Sequence, residues 1–323
     1  MTAETAEKQG GNASGMFSGS AAGVDGGGRS RPGDPVQMYL VAELTGRPCG
    51  GSRSDAGRGD ELDALAWRSV FEGAAKCGLR RVRLLDARFS GGAPRSQNDL
   101  VDLVAHAREA GLAPCLATSG VGLSTRTMRN LWEAGLADIE IAMGDVDAVR
   151  ADRMAGQRGA FQRRHALAAE AIRLGLPLTV SFVACDDGIG RIAAMVDLAL
   201  RMKAKRVAVV DARDGEGLAG PCVGAAPTPD QMRHAAHELE RLRGIHSGRI
   251  VIASRLLDFT VDRNAGRQLL PIHVTVSGEV RLVGADDGQS WNVRDKSFAA
   301  IVASWPGLIG EARQRTEVFV DVV

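Results

Sequence analysis

The residues of this chain that could do chemistry gather at the ends of its apolar runs. Glu43, Asp86, Asp145, Asp186 and Asp211 each close or follow a strand-like stretch, as do the short segments Thr118 to Gly120 and Met143 to Asp145. A fold that brought those ends together would set carboxylates, Ser119 and several glycines around one mouth. Converging carboxylates could chelate a hard divalent ion, but acidic groups at such positions also serve as helix caps or solvated loop residues, and that reading is preferred. In "FSGGAP" the loop Ser90 to Pro94 carries Gly91 and Gly92, whose missing Cβ lets an anionic or zwitterionic ligand approach the backbone N–H groups.

Little else near these positions is reactive. The serines lie in loops and the six histidines mostly on helical patterns, so no nucleophile, base and orienting acid stand out. His234 and His237 share a helix face without the HExxH pattern of a zinc protease and read as surface polarity, and His273 reads as structural. Gly188-x-Gly190-x-x-Ala193, with Asp211 closing the next strand, scans as a dinucleotide fingerprint. Asp186 and Asp187 would repel a pyrophosphate there, and the unit is fifth in a series rather than first, so a tight turn and helix start is the better reading. Arg158, Arg163 and Arg164 read as one solvated helix face rather than an RNA surface.

Five cysteines, Cys49, Cys77, Cys115, Cys185 and Cys222, are scattered with no CxxC pair, which argues against a disulfide framework or a closed zinc site. Cys77, Cys115 and Cys185 lie in helix or strand patterns and read as small buried hydrophobes. Lysine plus arginine (40) nearly cancel aspartate plus glutamate (39) over 323 residues, so no global field would gather nucleic acid or an anionic membrane. No apolar run reaches membrane-spanning length and no secretory signal opens the chain, so the expected location is cytoplasmic.

The elements that must position these groups follow from hydrophobic periodicity. Residues 1–36, rich in Gly and Ser, read as a disordered tail. From Val36 onward six apolar runs ("QMYLVAEL", "RVRLLDA", "APCLATS", "ADIEIAM", "PLTVSFVAC", "RVAVVDA") alternate with helical patterns. Helices are expected to begin near Asp60, at Asn98 or Asp99, and at Ser124 or Thr125, then to span about Phe161–Gly175, Ile189–Lys203 and Thr228–Arg243. Repeated βα units fan into a doubly wound sheet or curl toward a barrel, with the ligand site at the carboxyl ends of the strands in both cases. After one more apolar run, "RIVIAS", the chain changes to a hairpin turning at Ser277 and Gly278 and a short helix near Lys296–Ser304.

The order of these pieces over about Val36–Arg313 resembles the radical S-adenosylmethionine (SAM) enzymes with a C-terminal SPASM extension, in particular the PqqA peptide cyclases of pyrroloquinoline quinone biosynthesis. "LVAELT", "FSGGAP", "DLVAHAREAGL", "ATSGVGLS", "VTVSGEVRLVG" and "WNVRDKSFAAI" carry the resemblance in that order. It implies an α/β fold: a parallel (β/α)6 partial TIM barrel over residues 37–256 and a remnant SPASM-like β-hairpin and helix over 257–323. It also implies a [4Fe-4S] cluster on a CxxxCxxC loop after the first strand, where three thiolates hold three irons and the fourth stays open to chelate SAM.

Three departures stand out. Aligning on "AELT" puts Pro48, Ser52 and Asp55 at the cysteine positions, with Cys49 one residue out of register. Proline has no side-chain ligand, and serine is a poor substitute in a soft thiolate site. The glutamate of the family's GGEP loop is here Ala93, and residues 223–323 lack the cysteines of the auxiliary clusters. The resemblance therefore implies a pseudoenzyme in which [4Fe-4S] is not expected and SAM binding stays open, through Gly91, Gly92, Ser119, Asp145 and Asp211. Its partners would be a peptide precursor, a peptide chaperone or an active paralogue, with no nucleic acid and no membrane. The alternatives are a cluster-independent enzyme using SAM or another nucleotide, and a pure interaction subunit.

Overall fold

The computed structural model describes residues 37–44, 61–86, 97–120, 122–185, 188–211, 227–254, 261–262, 267–282 and 291–305. The anticipated tail at 1–36, Gly91 and Gly92, Cys49, Cys222, Asp186 and the expected domain boundary at 256–257 lie outside those residues.

Strands β1 (Gln37–Glu43), β2 (Arg81–Asp86), β3 (Ala113–Thr118), β4 (Asp138–Gly144), β5 (Leu178–Ala184), β6 (Arg206–Asp211) and β7 (Val251–Ser254) pair in parallel and in chain order. The crossovers contain α1 (Ala64–Lys76), α2 (Gln97–Glu109), α3 (Thr125–Glu133), α4 (Ala148–Met154), α5 (Ala160–Arg173), α6 (Ile192–Arg201, entered through a 3-10 turn at Ile189–Arg191) and α7 (Pro229–Ile245). A doubly wound sheet reverses its strand order at a switch point. Strands β1 to β7 never reverse, which is the order of a barrel.

One sheet face supplies Leu40, Leu84, Leu116, Ile141, Val180 and Val209 to a single core that also takes Trp67, Leu103, Met128, Leu167, Met195 and Leu239 from the helices. The opposite face carries a small separate cluster, Val41, Leu85 and Ala117 with Tyr39 packed on it. The helical layer thus covers the outer, convex face, and the inner face is lined by the alternate residues of each strand.

Local chemistry sets the helix starts. The first helix begins a turn later than its sequence pattern indicates, because Asp63 rather than Asp60 is the cap: its Oδ1 accepts from Ala66 N at 2.8 Å. Ser124 Oγ caps α3 through Thr127 N at 3.0 Å. Thr228 and Gln231 form a reciprocal capping box on α7, with Pro229 at its first position. The short helix α4, stapled by Asp147 Oδ1 to Arg150 N, was not apparent as a separate element.

The described strands after β7 continue the sheet on its other edge. Strand β9 (Arg267–Val274) follows the short β8 (Val261–Asp262), pairs in parallel with β1 and turns antiparallel into β10 (Glu279–Leu282), which pairs with β11 (Trp291–Asn292). The hairpin turn falls where the sequence places it, with Gly278 at φ +91°. A Cβ there would also come within 2.8 Å of Asn292 Oδ1. The barrel is partial because β9, and not β7, takes the free edge of β1. Helix α8 (Phe298–Ala303) packs Phe298 on α1, where a Cβ on Gly73 would sit 3.1 Å from Phe298 Cβ. Among the described residues no helix is long and apolar enough to cross a membrane.

Phe182 has no exposed surface and anchors β5 in the convex core. Phe182→Ala is expected to lower unfolding free energy by roughly 3 to 5 kcal/mol in a urea titration, with an unchanged slope.

Candidate functional site

The strand ends that ring the mouth are fixed from the helical side by one arginine. Arg164 of α5 is 1% exposed. Its Nε donates to Ser119 O at 2.8 Å and its Nη1 to Met143 O at 2.9 Å, tying the exits of β3 and β4 together. Burial lowers its pKa to about 10, with Asp152 opposing that shift, so the group stays charged at neutral pH. Arg164 is therefore no part of a solvated face, unlike the exposed Arg158 and Arg163. The close approach restricts its neighbours. Gly120 has φ +71°, and a Cβ on it would lie 3.1 Å from Leu167 Cδ1; Gly144 has φ +80°.

Asp145, 2% exposed, forms the second fixture. Its Oδ1 accepts from Asp147 N at 2.9 Å, and its Oδ2 accepts from Arg150 Nε at 3.0 Å and Arg191 Nη2 at 2.6 Å. One carboxylate thereby joins the exit of β4, the start of α4 and the turn before α6. That turn is made by Gly188 N and Ile189 N donating to Cys185 O at 3.0 and 2.8 Å. The Gly188-x-Gly190 pattern is a tight turn and helix start, as the sequence indicates. Asp152 completes the frame by accepting from the N–H groups of Phe161 and Gly159, which holds its carboxyl below the usual range.

Of the strand-end carboxylates whose side chains are described, Glu43, Asp86 and Asp145 do not converge. Asp86, 2% exposed, shares the helical side with its strand neighbours Leu84 and Val82; its Oδ2 accepts from Thr118 Oγ1 at 3.4 Å, and Thr118 Oγ1 accepts from Gly120 N at 3.1 Å. Glu43 faces the inner side, because successive strand residues alternate and Leu44 and Ala42 belong to the convex core. Among the described residues no group of three or more His, Cys, Asp or Glu could hold a metal ion. Ser119 is fully buried and contributes its carbonyl to the Arg164 clamp, and Asp211 is the last residue of β6, paired with Ala184. His234 and His237 are exposed on α7.

On the inner face the sequence reading missed a set of charged residues. Arg81 Nη2 donates to Asp138 Oδ2 at 2.7 Å, and Arg83 Nη2 donates to Glu140 Oε2 at 2.7 Å, across β2, β3 and β4. The polar-apolar alternation of "DIEI" in β4 is the signal that could have found them. Higher on that face Glu43 lies 4.0 Å from His273 Nε2, and burial raises its carboxyl pKa to about 7, with Arg281 opposing and Glu279 reinforcing the shift.

No family model matches the chain. The PqqA peptide cyclase of Methylocella silvestris is 35% identical over 274 residues, covering 80% of this chain and 72% of its own. That of Xanthomonas euvesicatoria is 32% identical over 288 residues, covering 83% and 74%. Among solved structures, SuiB of Streptococcus suis bound to SAM aligns with a TM-score of 0.61 at 16% identity over 86% of this chain and 68% of its own. SuiB bound to its precursor peptide SuiA gives 0.60 at 15% identity over 86% and 67%. The enzyme anSMEcpe with bound AdoMet gives 0.60 at 12% identity over 81% and 79%. These structures share the radical SAM partial TIM barrel, and at such identities the likeness speaks for the fold alone.

Arg164→Met leaves two buried carbonyls without their donor and is expected to cost roughly 2 to 5 kcal/mol by denaturant titration, with Arg164→Lys in between. Burial lifts the Glu43 carboxyl from its ordinary 4.5 to about 7 in the folded state, so the fold binds that proton more tightly than the unfolded chain does. The resulting stability is present below pH 4.5 and lost as pH rises through about 7. Glu43→Gln should remove that dependence and gain up to about 3 kcal/mol at pH 8 relative to the parent, read from chemical denaturation across pH 5 to 8.

Proposed function

The chain belongs to the PqqA peptide cyclase family of radical SAM enzymes, and on that premise we propose that it is a cluster-free member that binds a peptide at the mouth of the barrel without radical chemistry. It would act as an accessory component in the biosynthesis of a peptide-derived cofactor or natural product. The relatives are named for a peptide they cyclise, and SuiB takes a precursor peptide on the same fold; both support a peptide as the ligand class here.

The observation that carries the reading is the donor set after β1. Between Leu44 and Glu61 the sequence contains one cysteine, Cys49, with Pro48, Ser52 and Asp55 at the positions where the family places thiolates. A cubane that leaves one iron open needs three soft anchors on one turn. The described cysteines do not supply them. Cys77 is the C-cap of α1, the Cys115 thiol hydrogen-bonds Asp138 in mid-strand, and Cys185 Sγ, 2% exposed as a residue, donates to Val183 O at 3.7 Å. These residues do not fit the cluster, and no step of the proposed function passes through it.

A second reading keeps SAM as a bound ligand. The mouth retains its frame of Ser119, Asp145 and the end of β6 at Asp211, and the sequence keeps Gly91 and Gly92 in the adjoining loop. Structures of SuiB and anSMEcpe with bound SAM favour testing this directly. In either reading the protein would work beside an active paralogue or a peptide chaperone.

Anaerobic reconstitution with iron and sulfide, run beside an intact family member, is expected to give the chain no stoichiometric [4Fe-4S] absorbance and no adenosyl radical products with dithionite and SAM. Cluster formation at the intact member's level would overturn the proposal. Calorimetric titration with SAM then separates the readings: saturable binding weakened by Asp145→Asn favours the second, and its absence leaves the peptide alone as ligand.

A further inference from the structure

Among the described residues, the inner face of the sheet carries two buried polar atoms on adjacent strands that the fold leaves unsatisfied. Glu140 of β4 has a side chain 9% exposed; its Oε2 is taken by Arg83, and its Oε1 is buried with no hydrogen-bond partner. Ser181 of β5 is 3% exposed, and its Oγ is likewise buried without a partner. Native interiors pair nearly all such atoms, so two on one surface mark a place built for something else.

Register puts them together. Glu140 pairs with Thr179 and Ala142 with Ser181, so Glu140 and Ser181 are diagonal neighbours on one face of adjacent strands. The residues beside them are small: Ala117 is the partner of Glu140 on β3, Ala142 the partner of Ser181 on β4, and Ala208 its partner on β6. Three alanines thus flank the carboxylate oxygen and the hydroxyl, and none of them carries a side-chain polar atom that could satisfy either.

Charge narrows the occupant. Arg83 already neutralises Glu140, and Arg81 already neutralises Asp138 on the same face. A second cation would therefore lack a counter-charge, and an anion would meet the carboxylate. The Cys115 thiol, engaged by Asp138 and held protonated by burial, adds no charge. What remains is a neutral group that donates one hydrogen bond and can share another.

We propose that Glu140 and Ser181 form a specificity subsite at the floor of the barrel for a neutral hydrogen-bonding side chain of the bound peptide, a hydroxyl or primary amide that donates to Glu140 Oε1 and pairs with Ser181 Oγ. The subsite rests on the peptide-binding reading, but it needs only that a peptide enters the barrel. A chain that loaded a cluster would overturn the cluster-free reading and leave this one standing.

The test uses the full chain and four probes in ligand-observed NMR: acetamide, phenol, methylammonium and acetate. Saturable binding of acetamide, phenol or both is expected, with neither ion binding; the stronger neutral probe tells an amide subsite from a hydroxyl one. Ser181→Ala should weaken that binding roughly threefold or more, the loss of one neutral hydrogen bond. It should also raise the Tm of the ligand-free chain, since it deletes an unsatisfied buried hydroxyl. Glu140→Gln should weaken it too, and Ser181→Ala covers the case in which that variant fails to fold. The proposal is overturned if neither neutral probe binds, if methylammonium or acetate binds as well as they do, or if Ser181→Ala leaves binding unchanged. A lowered Tm in Ser181→Ala without a change in binding would mean a structural water only, and would overturn it as well.

Discussion

Strands of a parallel sheet end in carbonyl groups whose neighbours have already turned away, and when those ends are buried a donor must be brought to them. Here one guanidinium does so for two strands at once, spanning Ser119 O and Met143 O from a helix on the far side of the sheet. Its charge survives because burial lowers its pKa only to about 10, and the two carbonyls replace the water it gave up. The positive φ values at Gly120 and Gly144 follow from it, since each strand must leave sharply past a side chain that fills the space between them. The Asp145 crosslink to Arg150 and Arg191 then builds on a β4 exit already set by that clamp.

Holding the mouth from the helical side frees the inner face from packing duty. The convex face is apolar almost throughout, as expected of strands covered by helices. The inner face instead carries Arg81, Arg83, Asp138 and Glu140 in two closed ion pairs toward the amino ends of the strands, and Glu43 and His273 toward the carboxyl end. Packing alone would favour an apolar filling there, because a buried ion pair returns little net stability over hydrophobic residues of the same volume. A polar interior beneath a rigid rim suits a ligand that presents polar groups along its length, as a peptide does.

Much of this was legible in the sequence. The six main strands and most helices fall where the apolar runs and caps place them, because local periodicity and burial agree. Arg164 was misread because a charge next to Arg163 looks like a solvated face, yet its spacing to Leu167, Ala168 and Ala171 puts it on the buried stripe of α5. The inner ion pairs were missed because each joins residues two strands apart, which no local window contains. The parallel docking of β9 on β1 was hidden for the same reason: "RQLLPIHV" reads as half of a hairpin, and its second edge is a pairing with residues far earlier in the chain.

That docking bears on how far the fold depends on the loop that follows β1. In a strand held on one edge only, the loop that follows would matter to its placement. Strand β1 is paired on both edges, by β2 from Leu40 to Glu43 and by β9 from Gln37 to Ala42. Leu44 N also bonds Leu85 O at 3.0 Å just before the loop begins. The position of Glu43 is therefore set before the chain reaches Pro48, Cys49, Ser52 and Asp55, and the ligand set there could change without disturbing the ladder. The mouth is likewise framed from β3, β4 and α5, with β2 standing between them and β1. The frame of the mouth and the ladder that places β1 are thus built from contacts among the strands and α5.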